Sequence, residues 1–261
     1  MKEFQLSSNF LVNASIRLEN VSDQPITLPA QEWVVGTATR MGPDDNGLTL
    51  GAMWSDGTNS AKNCMLSYFS TNTTTLFVFP RTPKSEYREG NGNVAWAAVH
   101  NQFFTLIAMP KVPAAAVVAR AVPLPSLTPD SPQYGMANEG IQTALVYPAQ
   151  TIAAGHSLDR QITLFAGPKE YRLLARIGEQ FHNRADEVMQ FGYLGFFAKA
   201  LLLAMNWLHD VTKLGYGWVI VLITVIIKTV FWPLTRASTR SMKRMQALAP
   251  EIAALKEKYK D

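Results

Sequence analysis

The stretch GWVIVLITVIIKTVFWPL, residues 217–234, decides how the rest of this chain is read. Wound as an α-helix at ~1.5 Å per residue, its 18 residues extend ~27 Å, close to the ~30 Å hydrocarbon thickness of a bilayer. Tyr216 and Trp218 stand at one end and Trp232 at the other, where amphipathic aromatic rings settle at membrane–water boundaries. The expectation is one transmembrane helix over residues 216–234. Its direction follows from charge. From Thr235 onward there are seven basic residues and three acidic ones, whereas the rest of the chain holds 17 of each, so the whole net charge of +4 abuts the apolar run. Basic flanks are retained on the cytoplasmic side, which puts the C-terminus inside and the N-terminal region outside, and favours a lipid bilayer over a specific nucleic-acid partner.

Immediately upstream, residues 191–213 carry Lys199, Asn206, Asp210 and Lys213 at spacings of seven, four and three. These positions share one helical stripe, with Leu, Phe, Met and Trp around the rest. A span here would hold Lys199 near mid-bilayer, so the expectation is an interfacial amphipathic helix with its aromatics sunk to the acyl boundary. Residues 169–190 read as a short helix or extended connector after Gly167-Pro168. Downstream, residues 235–261 place Met242, Met245, Leu248, Ile252, Leu255 and Tyr259 three or four apart, an amphipathic cytoplasmic helix that Pro250 should interrupt or kink. That stripe fits a partner helix or the inner leaflet equally well.

Residues 1–168 read as β structure. In FLVNASIRLEN (10–20), Leu11, Asn13, Ser15, Arg17 and Glu19 interleave with Val12, Ala14, Ile16 and Leu18, the period of a half-buried strand. TTTLFVFP (73–80), VAWAAVHNQFFTLIAMP (94–110), QTALVYPAQTIA (142–153) and LDRQITLFAG (158–167) are further β-rich runs. Turn formers separate them at Asp44-Asp45-Asn46-Gly47, Ser55-Asp56-Gly57 and Glu89-Gly90-Asn91-Gly92, and prolines 110, 113, 123, 125, 129 and 132 suggest one long connection. The fold class expected is a β-sandwich followed by membrane-associated α-helices. The first 20 residues lack a basic region followed by an apolar core, so no signal peptide is read there, and export of the β-domain calls for something outside this sequence.

Little else points to chemistry. His100, His156, His182 and His209 are scattered with no metal-ligand spacing, no nucleophile or phosphate-loop motif occurs, and the lone Cys64 reads as a small buried apolar residue. No catalytic set, metal or cofactor is expected. Lys228 is the exception. A charge inside a span is unfavourable by about 3 kcal/mol on insertion scales, and anchoring has no use for it. Thr224 and Trp232, four residues to either side, and Thr235, seven beyond, make its face the more polar one. A wet groove beside that face would relieve the charge. So would snorkelling, because Leu234 is only ~9 Å further along the axis. On the pattern alone the two stand level.

The order of segments carries a resemblance. Gly167-Pro168-Lys169-Glu170, then the membrane-proximal helix, then KTVFWPLT (228–235) followed by SMKRMQALAPEI (241–252), resembles the YidC-type membrane protein insertases of the wider YidC–Oxa–Alb family. The resemblance is specific from Gly167 to the end and weaker over the β part, where NVAWAAVHNQFFTLIAMP (93–110) carries it. It implies a periplasmic β-supersandwich, an interfacial helix, a transmembrane helix and the first arm of a cytoplasmic hairpin, in the bacterial inner membrane. It implies a non-enzymatic insertase and chaperone for integral membrane proteins, acting alone or with the Sec translocon, with nascent clients and the ribosome as partners. In that family a basic residue faces a hydrophilic intramembrane groove, and Lys228 occupies the matching position; Thr224, Trp232 and Thr235 would flank it in contact with clients. Two departures stand out: the family's usual residue is arginine, whose planar fork of donors lysine lacks, and the chain reads as a fragment without the other groove walls. The competing readings are a single-pass β-sandwich that binds a ligand or sugar, and a carbohydrate-active enzyme, for which no His and carboxylate pair presents itself.

Overall fold

Alternating side chains build the β part, and the computed structural model shows what each face meets. It describes residues 1–42, 45, 47–70, 83–124, 139–192 and 194–258, in two compact units, Met1–Gln190 and Phe191–Asp261. In the first unit, a seven-stranded sheet runs in the spatial order β1 (Lys2–Leu6), β2 (Leu11–Glu19), β13 (Ser157–Pro168), β9 (Phe104–Pro110), β8 (Trp96–His100), β5 (Gly51–Ser55) and β6 (Lys62–Met65). A four-stranded sheet follows the order β4 (Gln31–Ala38), β11 (Glu139–Tyr147), β10 (Ala116–Pro123) and β7 (Tyr87–Glu89), and β3 (Ile26–Leu28) pairs with β12 (Gln150–Ile152). Every neighbouring pair is antiparallel.

The central strands bury both faces, and the period of two sorts their residues between two cores. Trp54, Ala97, Ala108 and Ile162 pack against Val117, Leu145 and Tyr147 of the smaller sheet. Their strand neighbours Met53, Trp96, Ala98, Ile107 and Phe165 point the other way, onto the helix α1 (Tyr171–Phe181) through Leu173, Leu174 and Ile177. The unit is therefore a sandwich with a helical third layer.

Of the two alternatives for residues 169–190, the short helix is the one seen, and it belongs to the first unit. α1 and a 3-10 turn at Ala185–Met189 close over the large sheet, with Ala185 and Val188 fully buried and the Trp96 indole N–H donating to the Asn183 carbonyl at 2.6 Å. The proline-rich stretch is also not one long connection. β10 lies within it, with Pro110 ending β9 and Pro123 ending β10, because a proline at a strand terminus removes only a marginal ladder bond. VAWAAVHNQFFTLIAMP is a hairpin of β8 and β9 whose turn is held by the Asn101 carboxamide oxygen accepting from the Phe103 and Phe104 amides. Gly57, Gly90 and Gly92 supply the positive φ values of the expected turns. The expected run 73–80, residues Asp44 and Asn46, and prolines 125, 129 and 132 lie outside the described residues. Cys64 is buried, as expected of a small apolar side chain, in the core beside β5 and β8.

The second unit holds α2 (Gly195–Thr212) and α3 (Tyr216–Lys258). α2 stops at Lys213, which adopts the left-handed conformation, and the His209 ring stacks on Tyr216 at 4.3 Å across the bend. α3 runs unbroken for 43 residues, through Pro233 and Pro250. A helix break at Pro250, one of the two outcomes expected there, is absent from the backbone. Proline's own φ is helical and it deletes one i→i−4 bond, which a long helix can absorb, at Pro250 with the help of flanking Ala, Leu, Gln and Glu, all good helix formers. Among the described residues one helical segment, Tyr216–Lys243, is long and apolar enough to cross a membrane.

Candidate functional site

The four residues singled out in sequence lie on one arc of α3. At about 100° per residue, Thr224, Lys228, Trp232 and Thr235 fall within about 80° of helix circumference. All four are exposed. Residues 211–250 contain no Asp or Glu, and among the described residues no carboxylate lies within ion-pair distance of Lys228.

The threonine hydroxyls on this helix are already committed. Thr224 donates to the Ile220 carbonyl at 2.7 Å, Thr229 to Val225 at 2.8 Å, Thr235 to Phe231 at 3.0 Å and Thr239 to Thr235 at 2.8 Å. Each closes the i−4 bond that lets threonine sit in an apolar helix without an unsatisfied polar group. Only the hydroxyl acceptor lone pairs remain free, so the arc presents one cation, weak acceptors and an indole. Thr229, about 100° round from Lys228, follows the same rule and escaped the sequence reading, which followed only the lysine's own stripe. Around the arc, Ile220, Val225, Ile226, Val230 and Phe231 are all exposed, as suits a helix whose solvent is lipid. On α2 the exposed residues, apart from Asp210, are likewise apolar, including Phe196, Phe197, Leu203 and Trp207.

The β unit offers a different kind of site. A cleft of about 850 Å³ opens on the outer face of the large sheet, floored by Asn13 and Ser15 of β2 and Gln161 and Thr163 of β13, and walled by Phe181 at the end of α1 and His182 after it. The floor is tied together: the Thr163 hydroxyl donates to the Asn13 side chain at 3.0 Å and the Lys111 ammonium to Gln161 at 3.1 Å. Sequence reasoning missed this cleft because its residues come from strands nearly 150 positions apart. Elsewhere, His100 lies fully buried beneath Gly51, its Nε2 2.8 Å from the Gln190 amide nitrogen. Burial, with a smaller contribution from the Lys169 charge, pushes its pKa down to about 4, and burial lowers Lys169 to about 8. Among the described residues no three His, Cys, Asp or Glu side chains group as metal ligands.

Two family models match the chain: the YidC periplasmic domain over residues 1–204 and the 60Kd inner membrane protein over residues 207–261. Similar curated proteins, each named membrane protein insertase YidC, come from Citrifermentans bemidjiense (41% identical over 125 residues, 48% of this chain and 22% of the relative) and Bordetella pertussis (45% over 111 residues, 42% and 19%). A third, from Geotalea daltonii, is 31% identical over 176 residues, 67% of this chain and 29% of the relative. The chain thus spans less than a third of the length of these relatives.

Proposed function

The chain belongs to the YidC family of inner-membrane proteins, and from that premise we propose that it is the part of a membrane protein insertase that carries the β-domain and the first wall of a client-binding groove. In this reading the β unit stands in the periplasm, α2 lies in the interface, α3 crosses the bilayer between Tyr216 and Leu234, and the tail enters the cytoplasm. The machine is a chaperone and not an enzyme, and it works on nascent membrane proteins, alone or with the Sec translocon and the ribosome.

One observation carries the proposal: the unpaired ammonium of Lys228 within the apolar run of a helix whose threonines all donate their hydroxyls to its own backbone. A helix built only to anchor would carry leucine there, because the charge is unfavourable by about 2.5–3.5 kcal/mol at mid-bilayer. In a wet groove the same charge attracts the acidic or polar flank of a client while the client's apolar segment passes into lipid, which lowers the desolvation barrier to insertion. Thr224, Trp232 and Thr235 line the path.

The test is client insertion into proteoliposomes by the full-length protein. Lys228→Leu should reduce insertion of a client with an acidic flank about tenfold or more while Lys228→Arg keeps it, and photo-crosslinkers at 224 and 232 should capture the client. Insertion at the wild-type level in the leucine variant would mean a snorkelling lysine and end the reading. The cleft on the large sheet favours one second reading, a membrane-tethered domain that binds a polar ligand such as a sugar. That reading predicts calorimetric binding lost on Gln161→Ala and no effect of Lys228→Leu.

A further inference from the structure

Between Val211 and Pro250 there are six cations and no anion. Within this stretch Arg236 and Arg240 lie four residues apart, so their guanidiniums share a face and repel each other. Among the described residues neither has an ion-pair partner. A helix that keeps like charges one turn apart with no neutralising acid is built to meet an anionic surface.

The geometry beside them defines the ligand. A groove of about 450 Å³ runs along α3, lined by Trp232, Pro233, Arg236, Ala237, Arg240 and Ser241. Ala237 leaves room between the arginines, and the Arg236 guanidinium sits 5.7 Å from the centre of the Trp232 ring, within cation–π range. The groove starts on the indole at the end of the apolar run. It finishes at Arg240, about 9 Å beyond Leu234 along the helix axis, at the depth where headgroup phosphates lie. A site that is apolar at one end and doubly cationic at the other fits a molecule with both parts.

We propose that Trp232, Arg236 and Arg240 form a binding site for an anionic phospholipid. The two guanidiniums grip the phosphodiester through paired N–H donors, the Ser241 hydroxyl lies in reach of the headgroup, and the indole packs on the glycerol–acyl boundary. The inference rests on α3 as a membrane span, but not on client insertion. A free phosphate would lack the apolar contact; a nucleic acid has bases that stack on an indole, but the place of Trp232 at the end of the apolar run favours the lipid.

Native mass spectrometry of the full chain in mild detergent tests it. With phosphatidylglycerol titrated against phosphatidylcholine, the anionic lipid should be retained preferentially, and Arg236→Gln/Arg240→Gln should lower its affinity about thirtyfold, some fivefold per arginine. Lys2→Gln/Lys213→Gln, which removes two cations elsewhere, should leave it unchanged. Arg236→Lys/Arg240→Lys keeps the charge and helicity and should fall between. Equal retention of the two lipids, equal loss in the control double variant, displacement of the lipid by millimolar inorganic phosphate, or preferential capture of a short RNA oligonucleotide would each overturn the assignment. Because no client is present, failure here is separate from failure of the Lys228 insertion assay.

Discussion

Trp96 and Trp232 show how differently the two units treat the same residue. Trp96 is wholly buried, its indole N–H spent on the Asn183 carbonyl, while Trp232 is 63% exposed with Arg236 over its ring. The contrast holds for isoleucine, buried at 107 and 141 and exposed at 220, 226 and 227. It holds for polar groups too. In the β unit, Asn20, Asn101 and Thr105 reach backbone or side-chain partners across loops and strands. On α3 each threonine bonds to its own helix one turn back. The β unit makes its own apolar solvent by folding, whereas α3 is built for one that already exists, so each backbone and hydroxyl group must be satisfied locally.

Stability measurements test that contrast. The largest effect should come from Trp96→Ala, which leaves a cavity in the core between sheet and helix and an unpaired Asn183 carbonyl. It should destabilise the β unit by about 3–5 kcal/mol, read as the shift of the urea transition of the full chain in mild detergent by near-UV dichroism. Ile226→Ala should leave that transition in place. A comparable shift there would mean that α3 is stabilised by protein packing and not by lipid.

A somewhat smaller effect is expected from pH. His100 titrates near 4 when folded and near 6.5 when unfolded, so between these values the unfolded chain binds the extra proton. Stability is therefore constant above about pH 6.5, falls as the pH drops through the window, and levels off below about pH 4, a loss of roughly 3 kcal/mol. Subtracting the pH–stability profile of His100→Gln from that of the wild type isolates this component. A flat difference would show that the ring is open to water. The smallest effect belongs to Arg120, whose guanidinium meets Glu32 at 2.6 Å and Glu86 at 2.6 Å on the outer face of the small sheet. Its hydrogen bonds hold the Glu32 carboxyl below the ordinary range. All three side chains keep about a third of their surface in water, so Arg120→Gln should cost under about 1 kcal/mol by the same urea assay.

The helical unit was the more legible in sequence. Length, aromatic ends and the charge tail marked α3, and the spacing of Thr224, Lys228, Trp232 and Thr235 located the arc directly. At Pro250 the helix continues instead of breaking, because proline's penalty is local and the helix on either side outweighs it. In the β unit the alternation of residues 10–20 marked β2, yet one departure was informative. Leu11 falls on the polar-facing set and is buried against Phe165 and α1, so the polar face of that strand becomes apolar where the helix covers it.

Hydropathy, charge and side-chain period belong to residues close in the chain, and they sufficed for a β-domain, an apolar helix, a buried Cys64 and a solitary Lys228. Which strands pair, which face of each central strand meets the small sheet and which meets α1, and where the cleft opens depend on contacts such as Asn13 with Thr163, 150 positions apart. Those follow from the folded chain as a whole. Two strands of the same pattern are interchangeable until the free energy of a whole packed layer selects one pairing over the rest.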